Sequence, residues 1–365
     1  MSDITTTGRP DPGDTDGEER YPYDEAVSFN VDLLIGLGLP QDDAHEMAVA
    51  LLDADLSRIK THGLRLLPAY LRRLLGDAIN PTPEVEVVRR DGPISVIEGD
   101  DGFGQVVAKR AIDHTMMAAR EHGLAMTVVR GSNHFGALGY PARLAAEEGL
   151  FAFVGQNTRD IVVMPGGERG GVGNNPFAFA MPSGDRDPLV LDISCSLVAK
   201  NNIYRAAERG ESIPKGIAVD EHGNPTTDAH AALRGAVTPF GGHKGAGLAI
   251  VIGALAGVLS DAKFGPVVPA PTNYDEQRDI GHFFLCIDLA RIDDPAAYRE
   301  RMRTYLSDIC ASGPEVRYPG QRSGAFRRDS LEYGVLLPTY VIDDLLSIAD
   351  EADVEVDPPR TIGAT

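Results

Sequence analysis

A histidine lies in a short polar turn directly before a predicted helix. The stretch 130–150 reads RGSNHFGALGYPARLAAEEGL, and His134 stands in it between Asn133 and a Phe-Gly pair. A turn that leads into a helix brings side chains close to free backbone N–H donors, where ligand groups often bind. The same residues also suit a turn in which Asn133 and His134 satisfy only the local backbone.

A second histidine follows a threonine in RIKTHGLRLLPAY, 58–70. The hydroxyl of Thr61 can orient the imidazole of His62 or relay its proton, and histidine is the side chain best suited to move protons near neutral pH. The alternative is a helix C-terminus at which His62 meets the last free carbonyl groups.

Two further stretches have the composition of nucleotide contacts. In LDISCS, 191–196, Asp192 ends a predicted strand, where its carboxylate could bind a ribose hydroxyl, orient a histidine or only cap a turn. In PFGGHKGAGL, 239–248, His243 and Lys244 lie in a glycine-rich loop that opens a helix, which suits phosphate or close helix packing equally. The spacing is not that of a Walker A loop.

The sequence favours no metal site and no disulfide framework. The stretch DEHGNPTTD, 220–228, is rich in potential ligands but matches neither zinc nor EF-hand spacing, so an exposed Asn-Pro turn is the better interpretation. The three cysteines, Cys195, Cys286 and Cys310, are far apart and form no CxxC pair. They predict free thiols in a reducing cytoplasm.

Charge and hydropathy exclude several classes of partner. The net charge of −20 argues against binding to nucleic acid, which requires a basic face. The N-terminal stretch lacks the basic and apolar regions of a signal peptide. The longest apolar run, LAIVIGALAGVL at 248–259, is about half of a membrane span, so we expect a buried helix and no membrane association.

The periodicity predicts a mixed α/β protein with separate helical and sheet regions. We expect helices over 23–75, a hairpin over 84–102 and a helix over 105–122. The rest of the predicted strands and helices are, in order, strand 124–130, helix 137–149, strands 150–158, 175–182 and 189–196, helices 197–209 and 246–259, strand 282–289, helix 295–311, and a strand and last helix within 330–349.

This pattern predicts a domain organisation without a Rossmann fold. Strands and helices do not alternate as βαβ units, and no GxGxxG follows a strand and opens a helix. We expect a disordered acidic lead-in at 1–22 and a loose tail at 351–365. Between them, the region 23–122 should pack with 295–350, and 123–294 should form a dinucleotide-binding domain.

The order and spacing of these stretches resemble the malate/L-lactate dehydrogenase family of the sulfolactate and ureidoglycolate dehydrogenase type. The resemblance covers about 25–345. It rests on these blocks: THGLRLLPAYLRRLLGDAINP, EGDDGFGQVVAKRAI, RGSNHFGALGYPARLAAEEGL, NNPFAFAMP, LDISCS, IPKGIAVDEHGNPTTD, GGHKGAGL, GHFFLCIDL and YPG.

The resemblance implies a homodimer that uses NAD or NADP to reduce a 2-oxo acid or a related imino acid reversibly. It implies a non-Rossmann fold in which the dinucleotide lies on a mostly antiparallel sheet. His62 resembles the family's proton donor in its (S/T)HG motif, and His134 the acid/base histidine of NHFG. The positions that resemble cofactor contacts are Thr158, Asp192, Ile193, Ser194, His243, Lys244, Gly320 and Gln321.

The chain departs from the family pattern at positions that are expected to bind the substrate. Many members have an arginine four residues after the THG histidine, where this chain has Leu66, and Arg65 is one residue earlier. One residue turns a helix by about 100 degrees, so Arg65 cannot be assumed to replace it. Asn202 stands in Asn201–Asn202, where many members have Gly-Lys or Gly-Asp. The candidate substrate contacts are Arg65, Asn174 and Asn202.

We therefore expect a 2-hydroxy-acid dehydrogenase. His62, held by Thr61, would protonate the developing alkoxide, while His134 would polarise the carbonyl or take the donor role itself. A reductase of cyclic imines or N-alkyl amino acids and a non-catalytic dinucleotide-binding protein are the alternatives. No stretch shows an acid for the ribose 2′-hydroxyl or an arginine for a 2′-phosphate, so the sequence does not select NAD or NADP.

Overall fold

Eleven helices and thirteen strands form the described part of the protein. The computed structural model describes residues 17–184 and 187–362. The helices are α1 Tyr23–Gly36, α2 Gln41–Leu56, α3 Leu67–Leu75, α4 Gly104–His122, α5 Gly139–Glu147, α6 Lys200–Glu208, α7 Ala229–Arg234, α8 His243–Gly253, α9 Pro295–Ala311, α10 Gln321–Tyr333 and α11 Thr339–Glu351.

The strands fall into sheets of two, four and seven strands. They are β1 Glu18–Tyr21, β2 Glu86–Asp91, β3 Ile94–Glu98, β4 Leu124–Ser132, β5 Leu150–Gln156, β6 Asp160–Val163, β7 Gly170–Gly173, β8 Phe177–Met181, β9 Leu189–Ile193, β10 Ala218–Val219, β11 Ala236–Val237, β12 Ile280–Asp288 and β13 Val335–Pro338.

The largest sheet confirms the predicted non-Rossmann architecture. Its strand order is β2-β3-β4-β12-β5-β8-β9, and all neighbours are antiparallel except β3 and β4. Successive side chains of a strand point to opposite faces. Phe284 of β12 accordingly packs with α4 and α5, whereas Phe283 packs with α8 on the other face.

A separate core joins the two ends of the chain. Side chains of α1, α2, α3 and α11 pack together, and β1 pairs antiparallel with β13 beside them. The prediction of a disordered lead-in is therefore wrong for Glu18–Tyr21, because its pairing partner lies far away in sequence. Residues 1–16 of that segment lie outside the described residues.

The C-terminal part of the chain departs from the prediction in three places. Helix α9 packs against Met181 and Leu189 at the edge of the large sheet, not against the N-terminal helices. Helix α10 begins at Gln321, between the predicted helix 295–311 and the predicted elements within 330–349, where the sequence analysis predicts no helix. Residues 352–362 are not a loose tail, since Val354 packs on the N-terminal core and Arg360 pairs with Glu25 at 2.6 Å. Residues 363–365 of the predicted tail lie outside the described residues.

Among the described residues, no helix combines the length and the apolar character that crossing a membrane requires.

Candidate active site

A cavity of about 510 Å³ lies between the N-terminal helices and the large sheet. It collects most of the residues that the sequence singled out, although they come from six separate segments. The predicted site residues that line it are Thr61, His62, His134, Thr158, Asn174, Asp192, Ile193, Ser194 and Gly320.

The loop that carries His62 is held by a buried carboxylate. Asp55 of α2 accepts a hydrogen bond from the backbone N–H of Leu64 at 2.7 Å. A Cβ atom at Gly63 would lie 2.1 Å from Asp55 Oδ1, so this close approach requires glycine. Helix α2 ends at Leu56, and His62 therefore lies in a separate loop and not at a helix C-terminus. Burial raises the pKa of Asp55 to about 7.

The two predicted catalytic histidines face each other. Their ring centroids are 5.9 Å apart, with an angle of 25° between the planes. Thr61 Oγ1 lies 2.8 Å from Nδ1 of His62, as expected for a hydroxyl that orients the ring. Burial lowers the pKa of His62, so its neutral form is favoured.

Contacts at Nδ1 define the protonation of His134. The phenol oxygen of Tyr70 lies 2.7 Å from this nitrogen, and the backbone N–H of Gly136 donates to it at 3.3 Å. A peptide N–H can only donate, so Nδ1 is an acceptor and the ring proton is on Nε2. Burial lowers the pKa of His134 well below its usual value, and His62 and Arg278 lower it further.

Tyr70 is a site residue that the sequence analysis missed. It lies on α3, buried beside His134. It lies within the helical stretch predicted over 23–75, only eight positions after His62, and this short spacing was an available signal. Burial raises the pKa of Tyr70, so its hydroxyl stays protonated and can donate to Nδ1 of His134.

Asp192 performs the capping role and also lines the cavity. Its Oδ2 atom accepts the N–H of Gly139, the first residue of α5, at 2.7 Å. Burial raises the pKa of this carboxyl to about 6. The hydrogen bond to Gly139 uses one carboxylate oxygen of Asp192. The same side chain can therefore cap the turn and also contact a ligand.

The N-terminus of α10 contributes another part of the cavity lining. Gly320 precedes the helix with φ +94°, and a Cβ there would lie 2.6 Å from the carbonyl oxygen of Pro188. Gln321 begins the helix directly after it. Ser323, Gly324 and Arg328 continue the lining.

These donors fit a dinucleotide. Free N–H groups of a helix N-terminus and a guanidinium suit phosphate, and Asp192 and Ser194 offer partners for hydroxyl groups. The imidazoles of His62 and His134 line the same cavity, and the reactive ring of the cofactor would be needed beside them. The sequence analysis did not predict α10, and for that reason it did not identify the arginines of this helix.

Five predicted residues do not line this cavity. Gln321 begins α10 beside Gly320 but is not among the lining residues. The guanidinium of Arg65 lies 5.7 Å from the ring centroid of Tyr340. Asn202 is exposed on α6, and His243 and Lys244 are exposed at the start of α8. Within the residues that the structure describes, no group of three or more His, Cys, Asp or Glu side chains is placed to hold a metal ion.

Comparison with known proteins identifies the family. A family model described as malate/L-lactate dehydrogenase matches residues 21–346. The chain belongs to this family. The match confirms the resemblance inferred from the sequence and covers both the N-terminal helical core and the large sheet.

Individual members of the malate/L-lactate dehydrogenase family are similar to this chain over almost its whole length. The chain is 32% identical to L-sulfolactate dehydrogenase of Methanothermobacter thermautotrophicus, over 93% of this chain and 98% of the relative. It is 35% identical to (2R)-3-sulfolactate dehydrogenase (NADP(+)) of Chromohalobacter salexigens, over 89% and 96%. The solved sulfolactate dehydrogenase of Methanocaldococcus jannaschii superposes with a TM-score of 0.85 at 30% identity, covering 92% of this chain and 98% of that one.

The predicted class of activity is thereby confirmed. The protein is an NAD(P)-dependent oxidoreductase of the hydroxy-acid dehydrogenase type, acting on small molecules. The structural relatives also confirm the predicted fold class.

Proposed function

We propose that His62, His134 and Tyr70 form the catalytic centre for oxidation of a small 2-hydroxy acid and for the reverse reduction. The nicotinamide of NAD or NADP, when bound, supplies or accepts the hydride at C2 of the acid. The observation that carries the proposal is the pair of imidazoles that face each other at 5.9 Å in the cavity. Thr158, Asn174, Asp192, Ile193, Ser194 and Gly320 then surround the remaining space for cofactor and substrate.

His134 acts as a neutral hydrogen-bond donor. Its Nδ1 atom is occupied by the N–H of Gly136 and the hydroxyl of Tyr70, which leaves Nε2–H for the substrate oxygen. A neutral imidazole gives up that proton reluctantly, so this group polarises a carbonyl rather than protonating it. The N–H of Gly136 sets the tautomer, and the hydroxyl of Tyr70 helps to hold the ring position.

His62 moves the proton. Its Nδ1 atom faces Thr61, which leaves Nε2 for exchange with the substrate hydroxyl. In the reductive direction the imidazolium gives a proton to the developing alkoxide, and in the oxidative direction the neutral ring accepts it. Positioned acid–base catalysis of this kind contributes about 10² to 10⁴ in rate.

The exposed apolar side chains on α8 and the turn that follows it support a homodimer. Val251 is 54% exposed, and Val258 and Leu259 are each 58% exposed. Large apolar side chains that are exposed at nearby positions are typical of a protein interface. A second copy of the chain would cover them. The three free cysteines are also compatible with the cytoplasmic location that we propose.

A spectrophotometric assay tests the proposed reaction. Loss of NADH and NADPH absorbance is followed with pyruvate, oxaloacetate, sulfopyruvate, 2,3-diketo sugar acids and the cyclic imine of lysine. Turnover of an oxo acid is expected. Activity on the imine alone would replace the proposal with the reductase, and cofactor binding without any turnover would favour the non-catalytic alternative.

A further inference from the structure

A buried guanidinium lies next to the histidine pair on a segment that the sequence analysis did not single out. Arg278 is 8% exposed, and its Nε atom is sealed from solvent without a hydrogen-bond partner. Among the described residues, no carboxylate forms an ion pair with it. A buried cation without a counter-charge is unfavourable, so its retention indicates an anion that the protein chain does not supply.

Arg278 lies close to the loop of His134, because Ile280 is paired with Ser132 and the carboxylate of Asp279 accepts the N–H of Gly131. Its charge acts on His134 and Tyr70, and it also repels Arg73 and Arg159. Arg159 directly follows Thr158, which lines the cavity. Burial and the repulsion by Arg73 lower the pKa of Arg278 to about 10, which still leaves it charged at neutral pH.

The backbone on both sides of Arg278 is anchored. Lys263 Nζ donates to the carbonyl oxygen of Gln277 at 2.8 Å. The carboxylate of Asp279 accepts the N–H of Gly131 at 2.7 Å and that of Lys263 at 3.1 Å. These contacts hold the backbone of the loop in place, so the fold itself directs the guanidinium of Arg278 inward.

A second arginine ties the same loop to α3. Arg73 donates to the carbonyl oxygen of Glu276 at 2.8 Å and also to that of Asn273. Both acceptors are backbone atoms, so Arg73 is committed to the loop. Arg278 is the member of this pair that keeps its guanidinium available to a ligand.

We propose that Arg278 binds the carboxylate of the 2-hydroxy or 2-oxo acid and so supplies the cation that Leu66 does not. The inference rests on the proposed function. Guanidinium recognises carboxylate through two parallel hydrogen bonds, which fixes the plane of the acid as well as its position. With the carboxylate at Arg278, the adjacent C2 oxygen is directed toward the neighbouring His134.

Two substitutions in the full-length protein test this assignment. Arg278→Gln removes the charge, and Arg278→Lys keeps a charge but loses the paired geometry. We expect KM for the acid to rise at least about 100-fold in Arg278→Gln and clearly in Arg278→Lys, because one partner of a buried charge pair is lost. The dissociation constant of NAD(P)H, measured by fluorescence, should change less than about twofold. Arg72→Gln, on the exposed face of α3, is the matched control.

Chemical rescue of the Arg278→Ala variant and comparison with an Arg65 variant distinguish loss of substrate binding from structural damage. Guanidinium chloride at low millimolar concentration should lower KM in Arg278→Ala and leave the wild-type protein unaffected. If Arg278→Gln folds with unchanged KM, or if Arg65→Gln alone raises KM, the assignment is overturned. If Arg278→Gln does not fold, Arg278→Lys decides by the same criterion.

A binding measurement distinguishes failure of this inference from failure of the proposed function. Oxalate is titrated calorimetrically into the dinucleotide complexes of the wild-type and Arg278→Gln proteins, with no turnover required. Loss of oxalate binding in the variant supports the carboxylate site even if no acid is turned over. Equal oxalate affinity in both proteins rejects it even if the dehydrogenase is active.

Discussion

The imidazole rings of His62 and His134 lie 5.9 Å apart, although they come from different cores of the protein. His62 follows α2 of the N-terminal helical core, and His134 follows β4 of the large sheet. Their different surroundings give them different roles: His134 has a hydrogen-bond network at Nδ1, whereas His62 has a single hydroxyl. The reaction therefore depends on how these two regions pack together.

Replacing His62 by alanine removes the group that moves the proton. We expect kcat to fall by about 10² to 10⁴ while NAD(P)H still binds with similar affinity. Steady-state kinetics and fluorescence titration measure the two effects separately. His45→Ala, an exposed histidine on α2, is the control. Wild-type turnover in His62→Ala would reject the assignment.

The pH dependence follows from the lowered pKa of His62. Oxidation requires its neutral form, so kcat/KM for the 2-hydroxy acid should rise with pH through a pKa below 6.5 and then remain constant. Reduction requires the protonated form, and its rate should fall over the same interval. A limb in the oxidative profile centred above pH 7 would contradict this interpretation.

Asp55 makes stability depend on pH. Its folded-state pKa of about 7 is above the ordinary value of 3.8, so its protonated form stabilises the fold and this contribution is lost as pH rises through 7. Asp55→Asn keeps an acceptor for Leu64 N–H without a charge. Its Tm should decline less between pH 5 and pH 8 than that of the wild type, by a few degrees. Asp344→Asn on the exposed face of α11 is the control, and identical slopes in Asp55→Asn and wild type would contradict the prediction.

A charge on the apolar face of α8 should separate the proposed dimer. Val251→Glu would place a carboxylate inside the interface, where burial without a partner is unfavourable. We expect a monomer of about half the mass by light scattering after size exclusion. Ile292→Glu, at an exposed site after β12, should leave the mass unchanged. A wild-type protein that is already monomeric would exclude the dimer.

Removal of divalent metal should leave activity unchanged. The proposed proton transfer uses imidazole groups, and the hydride belongs to the nicotinamide. Dialysis against EDTA, followed by the absorbance assay with and without added Mg²⁺ or Zn²⁺, measures the effect. A loss of activity that added metal restores would require a different mechanism.

The sequence by itself determined the fold class and the principal chemistry. The motifs around His62, His134 and Asp192 can be recognised from the sequence alone. Each is a local turn, and the conformation of its own backbone sets the residue types and their spacing. Helix α4 and strands β4 and β12 were predictable for the same reason: their apolar periodicity records one dominant packing face.

Only the tertiary structure decided which side chains complete the site. Strand β1 has no local signal, since its ladder partner β13 is at the other end of the chain. Arg65 has the right charge but lies beside Tyr340, whereas the charge of Arg278, on the loop before β12, acts on His134. Burial, missing counter-charges and the tautomer of a histidine arise from contacts between segments, and a pattern along one chain does not contain them.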